Sequence, residues 1–335
     1  MEGARIERPR RILCIDGGGI RGLIPALILA DLERRIAAGT GGPVALHRCF
    51  DLIAGTSTGG IIAAGLVAPA PGGDAACSAA DLVALYRGHG RDIFPHDPVH
   101  FAERVLGFPY STRPLEALLR RFIGERARTA DALTNVVMPA YDLLRRRAVF
   151  MAGGPDYPPG EPSYLLHEAA RATSAAPTYF RPEQIASAAG EMLLAIDGGV
   201  FANDPALAAL TEARKLGWSL DRIELLSIGT GRLDKPYPTA RRWTLLGWVN
   251  PFRHVPLLSI LAQAGSSTIS YQVGALLDAK RYTRVSFELP RERAIDDVSP
   301  AHLAEMTEVA SAWIATNAGL LDDWAARLVE TPRAA

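Results

Sequence analysis

Short apolar runs alternate along the first two thirds of the chain with stretches in which apolar residues recur every three or four positions. Residues 11–16 (RILCID) form an apolar run ending in glycines, and residues 23–38 follow at helical spacing until Gly39. Residues 50–54 are a second apolar run ending in glycine, and residues 58–67 are again helical, rich in Gly, Ala and Ile. The repeated unit of strand feeding helix predicts a mainly parallel sheet with helices on its faces.

Beyond a Pro/Gly/Ala loop at 69–78, the spacing predicts helices near 80–89 and 114–122. Strands follow at 135–141 and 148–151, joined through the arginine turn 145–147, and again at 192–197 and 222–228. The helix between the last two is marked by Asn203 or Asp204 as cap, Pro205 in its first turn and Gly217 at its end. The alternation predicts one α/β domain core over residues 11–235. Residues 236–330 are expected to supply a strand at 281–289 and helices packed on the same domain. In the final helical stretch Leu303, Met306, Ala310 and Trp313 make one apolar face, which Leu321, Trp324 and Leu328 resume beyond Asn317 and Gly319.

Composition narrows the function classes. The chain has 335 residues, 48% of them apolar, with 36 basic and 36 acidic side chains. Such a balance gives no overall field to gather nucleic acid or an anionic membrane, so any lipid contact is local. Three cysteines, Cys14, Cys49 and Cys77, are too few and scattered for a disulfide framework or thiolate metal site. The start of the sequence is charged and lacks an apolar signal core, and the most apolar stretches are too short to span a bilayer. A cytoplasmic protein, at most peripheral at a membrane, is expected.

Three motifs carry the candidate chemistry. Residues 16–22, DGGGIRG, satisfy G-x-G-x-x-G between a strand and a helix, the place of a dinucleotide loop. The acidic residue that would bind a ribose is missing, because the next strand ends in Gly55-Thr56-Ser57 and Asp51 lies at its beginning. The same glycines offer successive backbone N–H groups near a helix N-terminus, a nest for a phosphate or a transient oxyanion. Residues 55–59, GTSTG, are G-x-S-x-G between strand and helix, the setting of a nucleophile elbow with Ser57 exposed and Gly55 and Gly59 permitting the sharp turn. Asp197-Gly198-Gly199 ends a third strand, either as a turn cap or as a catalytic carboxylate. Ligands in open α/β sheets bind at the carboxyl ends of strands, where these motifs would meet.

Together, DGGGIRG at 16–22, GTSTGG at 55–60 and DGGVFANDPAL at 197–207 resemble the three signature blocks of patatin-like phospholipases. FDLIAGTSTGG, LTNVVMPAYD, ATSAAPTYFRP and SIGTG at 227–231 fit as well, so the resemblance covers about residues 11–235. It implies a three-layer patatin-like fold and a serine lipid acyl hydrolase of phospholipase A or lysophospholipase type. It further implies Ser57 as nucleophile, Asp197 as base and the amides of Gly17, Gly18 and Gly19 as oxyanion hole. Arg21 is expected to brace the glycine loop or attract an anionic head group, with Gly22, Gly198 and Gly199 in support. No metal or cofactor is expected, no EF-hand-like loop appears, and the partner is a lipid acyl ester.

Two competing readings stay open. A Ser-Asp-His α/β-hydrolase would recruit a late histidine such as His254 or His302, although the glycine loop and elbow stand unusually early for that fold. A nucleotide-binding module would use the glycine loop alone. The other histidines, His47, His89, His96, His100 and His167, lie outside the strand-end motifs and carry no metal-ligand pattern. Residues 243–252 set Trp243, Trp248 and Phe252 beside arginines, either packed under the sheet or, for at least one tryptophan, docked at a lipid boundary.

Overall fold

A computed structural model describes residues 8–95, 110–234, 236, 244–248, 256–291 and 293–330. His96, His100, Trp243, Phe252 and His254 lie outside the described residues. The strands are β1 (Arg10–Ile15), β2 (Leu52–Gly55), β3 (Asn135–Asp142), β4 (Arg147–Gly153), β5 (Glu183–Ala186), β6 (Met192–Asp197), β7 (Ile223–Ile228) and β8 (Tyr282–Val285). The helices are α1 (Leu23–Thr40), α2 (Thr58–Val67), α3 (Ala79–Ile93), α4 (Arg113–Ile123), α5 (Leu166–Thr173), α6 (Ala206–Lys215), α7 (Leu245–Trp248), α8 (Pro256–Leu276), α9 (Pro300–Thr316) and α10 (Ala318–Glu330).

One sheet runs in the order β5-β6-β3-β2-β1-β7-β8, with β4 also paired to β3. From β3 to β8 the neighbours on this path are parallel, while β4 and β6 both lie antiparallel on β3. Strand alternation divides the core in two. Leu13, Ile15, Ile53, Val136 and Met138 face α1 to α5, α9 and α10, whereas Ile12, Cys14, Leu52, Ala54 and Val137 face α6 and α8. Helices therefore cover both faces, as a largely parallel sheet requires.

β8 pairs with β7 along Leu225 to Ile228, so the last third of the chain contributes to the same sheet. The apolar face of α9 and α10 joins the larger core beside α1, with Trp324 fully buried and its indole N–H donating to Thr283 Oγ1 at 3.1 Å. The helical stretch does break where polar residues interrupt it: Asn317 ends α9 and its side-chain amide donates to the carbonyl of Trp313. Trp248, on α7, is half-buried.

The periodicity gives no sign of α5 and β5. α5 is buried on nearly every side, His167 and Arg171 included, and so shows no polar face. β5 is four residues long and half polar. The strand expected at 281–289 is shorter, ending at Val285, with one further bridge between Arg232 and Glu288.

Trp324→Ala should lower unfolding free energy by about 3–5 kcal/mol, because it leaves a cavity between α10, α1 and β8. Urea denaturation should show a lower midpoint at unchanged slope; an unaltered midpoint would mean that α10 does not unfold with the sheet.

Candidate active site

The chain turns from β2 into α2 at Ser57, which adopts φ 55°, ψ −123°, a backbone conformation L-residues avoid at a cost of about 1–3 kcal/mol. Two glycines make the turn sterically feasible. A Cβ at Gly55 would collide with the carbonyl of Gly59, and one at Gly59 would collide with the carbonyl of Ile15 on β1. The strained residue is then held in place from α5 and β3. The Ser57 N–H donates to Thr173 Oγ1 at 3.1 Å, and the Thr173 hydroxyl donates to the carbonyl of Pro139 at 2.5 Å. Thr173, fully buried, had no signal in the residue pattern beyond its place in ATSAAP.

Asp197 reaches the site by a route that differs from the sequence-based expectation. β1 and β2 do run parallel and end at the glycine loop and the elbow, but β6 is antiparallel to β3. β3 is long enough to carry β2 on its first half and β6 on its second. Ala54 pairs with Val137, and Asp197 pairs with Ala140 farther along the same strand, level with the turn that follows β2. The carboxylate is thus delivered to the serine from the opposite direction.

Asp197 is buried, and its Oδ1 accepts the Gly199 N–H at 2.7 Å. Burial pushes its carboxyl up to about 6, against the opposing pull of the Ser57 hydroxyl, the Gly199 amide and the more distant Arg171. Gly198 packs tightly on the Pro139 carbonyl, which fixes the turn after Asp197.

The glycine loop lies across from this pair. Its first amide is occupied: the Gly17 N–H donates to the Asn203 carbonyl at 3.0 Å, while the Gly17 carbonyl accepts the Thr230 hydroxyl at 2.6 Å. Of the three amides expected to hold an oxyanion, Gly17 is therefore engaged elsewhere. The N–H groups of Gly18 and Gly19 have no acceptor among the described residues. Arg21 donates from Nε to the Gly18 carbonyl at 3.4 Å, the bracing contact; the residue lines the cavity, and burial lowers its pKa. A Cβ at Gly22 would strike the Thr58 hydroxyl, so this glycine lets the loop sit against the first turn of α2.

A further residue below the loop was not foreseen. Arg284 of β8 grips Asp16 with two parallel hydrogen bonds, Nη1 to Oδ1 and Nη2 to Oδ2, each 2.6 Å. The same Nη1 lies 3.1 Å from Asp204 Oδ2 and donates to Ser227 Oγ at 2.7 Å. Asp204, read from sequence only as a cap, does accept the Ala206 N–H, but it also closes this buried charge cluster. Burial and the nearby Asp16 raise the Asp204 pKa, whereas the two carboxylates raise that of Arg284 and keep it charged. One arginine among several around a short strand gave no hint of this role.

Ser57, Asp197, Gly18, Gly19 and Arg21 share a cavity of about 520 Å³. On the other side of Ser57 a small apolar pocket of about 50 Å³ opens between Ile61, Leu85, Phe94, Leu115, Leu119 and Phe180. Neither space is lined by any of the described histidines. His302 is buried with Nδ1 2.8 Å from the Asp297 carbonyl, which removes it as a triad partner. Among the described residues no group of three or more His, Cys, Asp or Glu side chains is arranged to hold a metal ion. Nor is any described helix long and apolar enough to cross a membrane.

The family model "Patatin-like phospholipase" matches residues 13–210. "Patatin-like protein 1" of Oryza sativa subsp. indica is 35% identical over 294 residues, covering 80% of this chain and 70% of its own length. "Patatin-15" of Solanum tuberosum is 30% identical over 336 residues, covering 91% of this chain and 84% of its own. Among solved structures, VipD from Legionella pneumophila aligns over 92% of this chain and 67% of its own at 11% identity and a TM-score of 0.44. On the family match and the extent of identity, the chain belongs to the patatin-like phospholipases, a family of lipid acyl hydrolases.

Proposed function

We propose that this protein cleaves acyl ester bonds of lipids through a Ser57–Asp197 dyad and an acyl-enzyme. The observation that carries the reading is a strained serine beside a buried carboxylate, in a cavity shared with two backbone amides that have no acceptor among the described residues. Ser57 Oγ attacks the ester carbonyl carbon as Asp197 takes its proton, and the tetrahedral oxyanion is received by the Gly18 and Gly19 N–H groups. Collapse expels the alcohol, which leaves with the proton from Asp197. Water then repeats the sequence on the acyl-serine, releasing the fatty acid and restoring the serine. The apolar pocket suits the start of an acyl chain and the larger, arginine-bearing cavity the remainder of the lipid.

A fluorophosphonate probe should label Ser57, and Ser57→Ala should lose both labelling and hydrolysis of a short soluble ester. Labelling at another residue would defeat the assignment.

The raised pKa of Asp197 acts in opposite senses on activity and stability. The base must be ionised, so kcat/KM should rise with pH through an apparent value of about 6 and level off above it. The folded carboxyl binds its proton more tightly than the unfolded one, so its contribution to stability is full below the unfolded value near 3.8 and declines as pH rises through about 6. Asp197→Asn should therefore cut turnover by at least about 10³-fold while melting no lower than wild type at pH 8. A folded variant that remains active would reject the carboxylate as base, and one that melts below wild type at pH 8 would reject the stability argument.

Arg284→Lys tests the brace beneath the oxyanion loop. Lysine keeps the charge but not the two-pronged grip on Asp16. Displacing an oxyanion donor costs about 10²–10³ in kcat, so kcat should fall by about 10²-fold at nearly constant KM in a folded protein. An equal rise in KM with kcat unchanged would place Arg284 in substrate binding instead.

A further inference from the structure

We infer that the outer face of α8 is the surface by which this protein rests on a lipid aggregate. This inference builds on the lipid acyl hydrolase reading. α8 has 21 residues, about 30 Å of helix, and from Pro256 through Leu277 the sequence contains no charged side chain. Its inner face, Ile269, Val273 and Leu277, joins the smaller core with α6. Opposite that face, Leu257, Leu261, Ala264, Thr268, Tyr271 and Ala275 follow one another at steps of four and three, and all six are exposed. The large side chains among them stand well out of the surface: Leu257 is 40% exposed, Leu261 45% and Tyr271 79%. A helix this long with an uncharged outer stripe is unusual on a surface that meets only water, where charged residues normally fill that face.

Position identifies the occupant. One flank of α8 forms a wall of the catalytic cavity through Leu258, Ala262, Ser266 and Ser270, and Leu261 belongs both to that wall and to the exposed stripe. A second protein copy seated on the stripe would cover the rim through which substrate reaches Ser57. An apolar lipid surface in the same place would present acyl chains at that rim. With no charge on the helix, the contact is one of apolar burial and not of attraction to anionic head groups.

The test uses the full chain with Leu257→Asp, Tyr271→Asp and the double variant; neither residue lines the catalytic cavity. Wild type should co-sediment with phosphatidylcholine vesicles and stay bound in high salt. Each substitution should weaken partitioning by about tenfold or more, the scale of withdrawing one large apolar side chain from an apolar phase. Hydrolysis of vesicle lipid should fall in parallel, while melting temperature and kcat/KM on a soluble short-chain ester stay within about twofold of wild type, both residues being exposed. Unchanged vesicle binding by the double variant would overturn the inference. So would wild-type binding restricted to anionic vesicles and released by salt, or a wild-type dimer that the substitutions dissociate without affecting vesicles. Failure of wild type on every ester would reject the hydrolase reading alone, since sedimentation reports on the surface independently of turnover.

Discussion

Ser57 can occupy its position only because no side chain stands at residues 55 and 59. The Gly59 α-carbon packs against the Ile15 carbonyl, and the Gly55 α-carbon against the Gly59 carbonyl, so the end of β1, the end of β2 and the start of α2 meet at van der Waals contact. Any Cβ there would push the strands apart, and the glycine loop that follows Ile15 would move with them. The elbow and the glycine loop are therefore one packing unit. The unfavourable backbone angles of Ser57 persist because its N–H is tied, through the Thr173 hydroxyl, to the carbonyl of Pro139 at the centre of the sheet.

Two buried aspartates beside this unit are treated in opposite ways. Asp16 receives a full bidentate arginine and fixes the loop, whereas Asp197 receives one backbone amide and faces a serine hydroxyl. A carboxylate paired with an arginine would be a poor base, its charge already compensated. One left with a single amide in a desolvated site holds its proton up to about 6 and is correspondingly more basic. Asp16 is held in an ion pair and Asp197 by one backbone amide, and the difference is made by where Arg284 lies.

Much of this was legible from the chain. The alternation of runs identified seven of the strands, and the glycines of DGGGIRG and GTSTGG marked both tight turns, because steric limits on such turns act locally and so leave a local trace. What escaped was either too short, as with β5, or buried on nearly every side and hence without a polar face, as with α5. Thr173 and Arg284 act over long sequence separations, 116 residues from Ser57 and 268 from Asp16, through single hydrogen-bonding side chains that periodicity does not register. The occupied amide of Gly17 was hidden by sequence distance as well, since its acceptor is the main-chain carbonyl of Asn203.

The antiparallel course of β6 is the least local of these features and brings Asp197 to Ser57. Arriving from the opposite direction, β6 stops beside Ala140 and turns at Gly198, against the Pro139 carbonyl that also anchors Thr173. The serine and its carboxylate thus share one anchor on β3. The length of that strand, with β2 along its first half and β6 along its second, sets their separation.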